Sequence, residues 1–470
     1  MLKKTKIICT IGPSSEKISV IEALLQNGMD IARLNFSHGN HEEQAAKIYN
    51  VKEAAKNSGK IVSLLLDTKG PEIRLGRFAG GKVVVKAGQV FMLTQADLPG
   101  NEARASVSYK ELYKVVGEGD ILLLADGLIS LQVKSVQNKD VITTVLNGGE
   151  LSDLKRVSIP GKICHMPFLS PGDQQDLLFG ISQNMDFVAA SFVQSAADLK
   201  QLRAFIQQHD GNMEIIAKIE CGAAVRNIDE IIAAADAVMV ARGDLGVDIS
   251  PENVPLVQKE IIQKCNKAGK PVIVATQMLE SMIKNPRPTR AEASDVANAI
   301  FDGADAIMLS GETASGAYPV EAAARMNSLA LRTEKSLKYK ELFLERGFHL
   351  LTSTTDSLAH ATVQIAQEIN VAAIVTPTEN GYTAQAVSRY RPQADIFAVA
   401  SDEKTARKLN LLWGVHSVMG IKYDNLEEMV EKAVENIRAR ELLQKDDLAI
   451  IASGISFGCH KNKTIQICTM

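Results

Sequence analysis

The chain has 470 residues, of which 46% are hydrophobic and 23% charged, with a formal net charge of −3. That length suits roughly two to four domains, and that charge excludes the broad basic surface of a nucleic-acid-binding protein, though not a local basic pocket for phosphates. Six scattered cysteines without CxxC spacing argue against a disulfide framework or a zinc knuckle, and no apolar run approaches membrane-spanning length.

The opening Met1-Leu2-Lys3-Lys4-Thr5-Lys6-Ile7 shows no signal-peptide pattern and runs straight into a strand, so a cytoplasmic protein is expected. Residues 1–70 and 170–345 then alternate short apolar runs with amphipathic segments. The runs are Ile7–Ile11, Ile31–Phe36, Ile61–Leu66, Phe187–Phe192, Ile215–Ile219, Ala237–Ala241, Val272–Ala275 and Ala306–Leu309. Segments such as Glu42–Ala55, Gln174–Ile181 and Val254–Lys267 carry helical periodicity between them. Runs apolar on both faces and separated by helices predict parallel strands covered by helices. Eight of them predict a (β/α)8 TIM barrel; a doubly wound open sheet is the other arrangement. Polar residues follow most of the runs, which favours a closed ring with one active face.

Residues 71–169 interrupt this pattern after the third run. They are rich in Gly and in short alternating runs: Lys82–Lys86, Ile121–Leu124 and Leu131–Val136. Asp126-Gly127 and Asn147-Gly148-Gly149 between such runs predict hairpins. The expectation is a small inserted β-barrel domain, placed to close over the barrel mouth as a lid. Residues 346–470 return to helix–strand alternation, with strands at Ala372–Thr376, Ile396–Val399 and Leu448–Ala452. Helices are expected at Asp356–Ile369, Thr383–Tyr390, Lys404–Trp413 and Leu426–Arg440, making a separate C-terminal α/β domain.

In a barrel, the C-terminal ends of the strands carry the chemistry. The second run ends in Arg33, Asn35, Ser37 and His38, and the third in Asp67-Thr68. The fifth ends in Lys218 and Glu220, the sixth in Gly243-Asp244, the seventh in Thr276 and the eighth in Ser310. Lys218 and Glu220 share one strand face, since residues i and i+2 do. Such a pair suits a cation that steadies developing negative charge beside a carboxylate that holds a metal; alone it also suits a structural ion pair. Glu220 and Asp244 with few other hard ligands suit Mg2+, and Arg33, Lys218 and Mg2+ together suit phosphoryl transfer. Zn2+ is disfavoured, because no His or Cys stands at ligand spacing. Gly-Asp-Leu-Gly before a helix is expected to leave amides free for a carboxylate, or else to be a plain turn. Asn35, Ser37, Asp67 and Thr68 offer oxygens with one formal charge, which suits a monovalent cation; solvated loop polarity accounts for them equally.

These segments resemble pyruvate kinases. The resemblance lies in Arg33-Leu34-Asn35-Phe36-Ser37-His38-Gly39, Leu66-Asp67-Thr68-Lys69-Gly70-Pro71-Glu72-Ile73-Arg74 and Ala217-Lys218-Ile219-Glu220. It continues in Met239-Val240-Ala241-Arg242-Gly243-Asp244-Leu245-Gly246-Val247 and Ala275-Thr276-Gln277-Met278-Leu279-Glu280-Ser281-Met282. It then runs from Asn285-Pro286-Arg287-Pro288-Thr289-Arg290-Ala291-Glu292 to Ser310-Gly311-Glu312-Thr313-Ala314, and covers nearly the whole chain.

The resemblance implies a barrel, an inserted β domain and a C-terminal α/β domain in a cytoplasmic homotetramer, with no nucleic-acid or membrane partner. It implies transfer of a phosphoryl group from phosphoenolpyruvate to ADP, giving pyruvate and ATP. Lys218 would steady the phosphoryl group and the enolate oxygen, and Arg33 would contact the phosphoryl group. Gly243, Asp244 and Thr276 would bind the substrate carboxylate, with Thr276 near the carbon that is protonated. Glu220 and Asp244 would hold Mg2+, with Mn2+ as a substitute, and Asn35, Ser37, Asp67 and Thr68 would hold K+. Glu72 matches the K+-dependent branch. Asn35, His38, Arg74 and Lys155 would lie on the nucleotide side. Thr378, Asn380, Gly381 and Thr383 resemble a loop for a sugar-phosphate or AMP effector; the residues Lys461 and Lys463 of the last turn suit a phosphate, and a solvated turn accounts for them equally.

The chain also departs from the family pattern. Cys221-Gly222-Ala223 follow Glu220 where Asn is usual, Ala125 replaces an aspartate, and Arg156 stands where Gly is usual. Asn380 replaces the usual Ser, and Gly458-Cys459-His460-Lys461-Asn462-Lys463-Thr464 replaces a Gly-rich turn. Two further readings are a Mg2+-dependent lyase or aldolase on a 2-oxo acid, and a catalytically weak sensor of phosphorylated metabolites.

Overall fold

The computed structural model describes residues 2–162, 164, 166–347, 353–420, 425–454, 456–457, 460–461 and 463–470. Gly458, Cys459 and Asn462 of the C-terminal turn, and the side chain of Lys461, lie outside the described set.

Eight parallel strands close into a barrel. In chain order they are Lys6–Thr10, Ile31–Asn35, Ser63–Asp67, Phe187–Ala190, Glu214–Ile219, Ala237–Ala241, Val272–Ala275 and Ala306–Leu309. Each lies within or one residue beyond its apolar run, and the closing seam pairs Lys6 with Ala306. Ile8, Ile31, Leu65, Phe187, Ile216, Met239, Ile273 and Met308 fill the interior, and the alternate residues pack against the surrounding helices. That double burial is why the runs are apolar throughout.

Between the third and fourth strands, a seven-stranded sheet forms around its own core, which includes Leu75, Phe91, Leu122, Leu131 and Val157. Its edge segments meet at the Leu75–Val107 bridge, so the sheet curls nearly onto itself. Asp126-Gly127 does turn a hairpin, between Ile121–Leu124 and Ile129–Gln137. Asn147-Gly148-Gly149 does not. Strand Asp140–Asn147 pairs with Val90–Thr94, whereas Gly149–Ser152 leaves to pair with Lys82–Val85. A side chain on Gly148 would meet the Val85 carbonyl at 2.3 Å, so this Gly serves a close backbone crossing. The tight hairpin lies instead at Asn138-Lys139, both left-handed at φ 49° and 73°.

The C-terminal sheet has five strands, in the order Val415–Met419, Asp395–Ala400, Ala373–Thr378, Leu448–Ser453, Thr464–Thr469, the last antiparallel. Two of these, Val415–Met419 and Thr464–Thr469, carry mixed polarity and give no clear apolar run. The predicted helix Lys404–Trp413 is cut to Glu403–Lys408 plus one 3-10 turn. This domain docks under the N-terminal ends of the barrel strands. Lys4 pairs with Asp395 at 2.9 Å, Arg391 with Asp305 at 2.9 Å and Arg407 with Asp186 at 2.9 Å. These three pairs all lie on the face opposite the C-terminal ends of the strands.

Candidate active site

At the C-terminal mouth, neighbouring strands bring together residues far apart in the chain. Parallel register sets Asn35 beside Asp67 on the second and third strands. Asp67 is fully buried and bridges two cations: Oδ2 accepts from Arg33 Nε at 2.7 Å and Oδ1 from Lys218 Nζ at 2.9 Å. Burial alone would raise this carboxyl, but Arg33 and Lys218 together bring it below the ordinary aspartate value. Arg33 is oriented further by Nη1 donating to Thr10 Oγ1 at 2.8 Å. Lys218 also lies 3.0 Å from Glu220 Oε1. Its burial opposes the charge, yet Asp67 and Glu220 outweigh that and hold it firmly protonated.

Glu220 is the strained member. Burial pushes its carboxyl up, Lys218 pulls it down, and nearby Asp244 pushes it up again. Oε2 accepts from the Phe192 amide at 2.7 Å, but buried Oε1 has no hydrogen-bond partner. A buried carboxylate oxygen whose one partner is the Lys218 ion pair, beside a second carboxylate, is a donor set that fits a hard divalent cation. No group of three or more His, Cys, Asp or Glu among the described residues is arranged to hold a metal. An ion here would therefore draw most of its ligands from substrate and water. Asn35, Asp67 and Thr68 form the neighbouring oxygen cluster, but both Asp67 oxygens are already engaged. A monovalent ion there would rest chiefly on neutral oxygens.

The sixth and seventh strands build the other wall. The short helix Arg242–Asp248 starts at the end of the sixth strand and places Gly243 and Asp244 in its first turn. The expectation that the Gly243 amide is free is corrected: it donates to Thr276 Oγ1 at 2.8 Å. Thr276 and Gln277 are both left-handed, at φ 67° and 54°, a conformation that costs about 1–3 kcal/mol at each such residue. Arg242 holds the loop there, donating to the Thr276 carbonyl at 2.8 Å while pairing with Asp295 at 2.7 Å.

His38, Arg74 and Lys155 do not enter this network. His38 and Lys155 are exposed, and Arg74 pairs with Glu72 through Nε at 2.9 Å. Ser37 is fixed by its amide, which donates to Asn35 Oδ1 at 3.0 Å. Ser310 Oγ is buried without a partner, whereas Glu312 braces the loop by accepting from the Ser310 and Leu279 amides. In place of the usual Asn, Cys221 precedes the five-residue helix Gly222–Arg226, and the Gly222 amide donates to Asp248 at 2.6 Å.

Three contributors escaped the sequence reading. Ser191 sits inside the apolar run Phe187–Phe192; its hydroxyl accepts from Lys218 Nζ at 2.7 Å and donates to the Thr68 carbonyl at 2.7 Å. Phe192 supplies the amide for Glu220. Arg242 stands within Met239–Val247, where the sequence assigns a role only to Gly243 and Asp244. Only the position of Ser191 and Phe192 at the end of the fourth strand could have flagged them.

The C-terminal loop looks different. Thr378 Oγ1 accepts from the Gly381 amide at 2.8 Å, and Asn380 Oδ1 from the Tyr382 amide at 3.1 Å. Thr383 is buried in the helix Tyr382–Ser388, and Lys463 Nζ donates to Thr354 Oγ1 at 2.6 Å.

A family model described as pyruvate kinase, barrel domain, matches residues 2–323, and one described as pyruvate kinase, alpha/beta domain, matches residues 356–468. The chain is 49% identical over 461 residues to a pyruvate kinase of Geobacillus stearothermophilus, covering 97% of this chain and 78% of that protein. It is 48% identical over 460 residues to a pyruvate kinase of Sporosarcina psychrophila, with the same shares covered. A solved pyruvate kinase from Cryptosporidium parvum superposes with a TM-score of 0.94 at 39% identity, over 99% of this chain and 96% of that one. With its barrel, its C-terminal α/β domain and relatives at this level of identity, the chain belongs to the pyruvate kinase family.

Proposed function

We propose that the barrel mouth transfers the phosphoryl group of phosphoenolpyruvate to ADP, giving pyruvate and ATP in the last step of glycolysis. The observation that carries this reading is Lys218, buried and held cationic between Asp67 and Glu220, with Arg33 across the same Asp67. The bond between phosphorus and the enol oxygen breaks, its electron pair stays on that oxygen, and an oxygen of the ADP β-phosphate takes the phosphoryl group. Lys218 balances the charge spread over the transferring group and the enolate oxygen, and Arg33 binds the phosphoryl oxygens. A proton then adds to the methylene carbon of the enolate beside Thr276. Gly243, Asp244 and Thr276 receive the substrate carboxylate, for which the Gly243 amide exchanges its bond to Thr276 for one to substrate.

Asn35, His38, Arg74 and Lys155 face the nucleotide. Glu220 and Asp244 hold Mg2+ or Mn2+, and Asn35, Ser37, Asp67 and Thr68 hold K+, the bound ions supplying positive charge for the phosphate oxygens. The reading implies a cytoplasmic homotetramer; among the described residues no helix is long and apolar enough to cross a membrane. It extends to an effector loop at Thr378, Asn380, Gly381 and Thr383. Titration with fructose 1,6-bisphosphate, ribose 5-phosphate and AMP should shift the substrate saturation curve, and an unmoved curve removes that extension.

A coupled assay tests the main reading. Pyruvate should form only when phosphoenolpyruvate, ADP, Mg2+ and K+ are all present. Pyruvate formed without ADP would point instead to lyase or hydrolase chemistry, and no pyruvate under any condition would point to a sensor.

A further inference from the structure

Arg156 is the first residue of a lid strand, Arg156–Ser158, which is hydrogen-bonded to Ile73–Arg74 on one side and Ile121–Leu124 on the other. From this rigid base its side chain leaves the lid and reaches the barrel. Nη1 pairs with Asp244 Oδ1, and the guanidinium lies 4.6 Å from the centroid of the Phe192 ring. Phe192 gives its amide to Glu220 Oε2. One lid side chain therefore binds one of the two candidate metal carboxylates and stacks on the residue whose backbone holds the other.

The Arg156 side chain is 12% exposed in this arrangement, so it is seated rather than waving in solvent. Among the described residues, the other ion pairs of the lid are internal to it, so this pair alone joins lid to barrel by charge. A guanidinium on Asp244 Oδ1 and a divalent cation on the same carboxylate repel each other, so each weakens the other's hold. The Gly usual at this position could not make the contact at all.

We propose that Arg156 is a positioning residue that couples the lid to metal binding. It holds the lid on Asp244 when no divalent cation is bound, and gives up that carboxylate when one is. The proposal rests on the assignment of Glu220 and Asp244 as the metal carboxylates. Reciprocity follows: whatever the pair contributes to holding the lid, it subtracts from metal affinity.

The test is a Mn2+ titration of the full chain by electron paramagnetic resonance, without substrate or nucleotide. Arg156→Gln keeps the strand and removes the charge, and its Mn2+ dissociation constant should fall by about three- to tenfold. Arg156→Lys should stay near the unsubstituted protein. Hydrogen exchange gives a second readout: Mn2+ should loosen segments 71–76 and 153–158 in the unsubstituted protein to the level Arg156→Gln shows without metal. Equal Mn2+ affinity in the unsubstituted protein and Arg156→Gln overturns the proposal alone. Undiminished Mn2+ binding by Glu220→Gln, or none by any variant, overturns the metal assignment and the proposal with it. Arg156→Gly serves the same comparison if the Gln variant does not fold.

Discussion

The barrel mouth and the loop Thr378–Thr383 are both polar segments where parallel strands end, yet they settle their polar groups in opposite ways. In the loop, hydroxyl and amide groups satisfy amides two or three residues away. At the mouth, Arg33, Asp67, Lys218 and Glu220 are buried charges from three different strands, and Glu220 Oε1 accepts no hydrogen bond beyond its ion pair with Lys218. Local satisfaction is what a turn needs to be stable. Buried charges joined across strands add little stability and are retained where chemistry needs them. A polar strand end is therefore not itself a sign of a site; the sign is charge that its own neighbours leave unresolved.

The largest test of this contrast is Lys218→Met. Turnover in the coupled assay should fall by at least about a thousandfold. Near-normal turnover would reduce the mouth to the same standing as the loop. Asp67→Asn comes next, since it leaves Arg33 and Lys218 buried without their shared anion. It should lower unfolding free energy by about 3 kcal/mol in urea denaturation, and a change below about 1 kcal/mol would show the charges are well solvated after all. Arg242→Ala should reduce kcat/KM for phosphoenolpyruvate by about 10- to 100-fold, because the left-handed Thr276 loses its brace. A matching loss of thermal stability would instead mark Arg242 as merely structural. The smallest effect belongs to the loop: Thr378→Val strands the Gly381 amide and should cost about 1 kcal/mol, read as a lower melting temperature.

Much of the molecule was legible in the sequence because a buried parallel strand writes an uninterrupted apolar run. All eight barrel strands were readable for that reason, and Lys218 and Glu220 because alternation puts both on one face at a strand end. What escaped was decided by distant partners. Ser191 looks like one more small residue in an apolar run until Lys218 is brought beside it. Arg156 was visible as an odd residue, but nothing in its neighbourhood names Asp244, 88 positions on. Asn147-Gly148-Gly149 has hairpin chemistry and serves a sheet-to-sheet crossing, because Gly also answers to close backbone approach. Val415–Met419 carries His416 and Ser417 and lost its strand signature to them.

The lid's place in the chain has a consequence for assembly. The third and fourth barrel strands are hydrogen-bonded neighbours, with Phe187 registered on Leu65, yet the whole lid is threaded between them. Closing that seam directly would tie off a loop of roughly 120 residues. The lid has its own core, and its entry and exit strands pair at Ile73 and Val157. If it condenses first, the effective loop drops to under 40 residues, which lowers the closure entropy cost by about 1 kcal/mol. The insert would then act as a clasp that draws the two barrel edges together, and destabilising its core should slow barrel closure even where no lid residue touches the barrel.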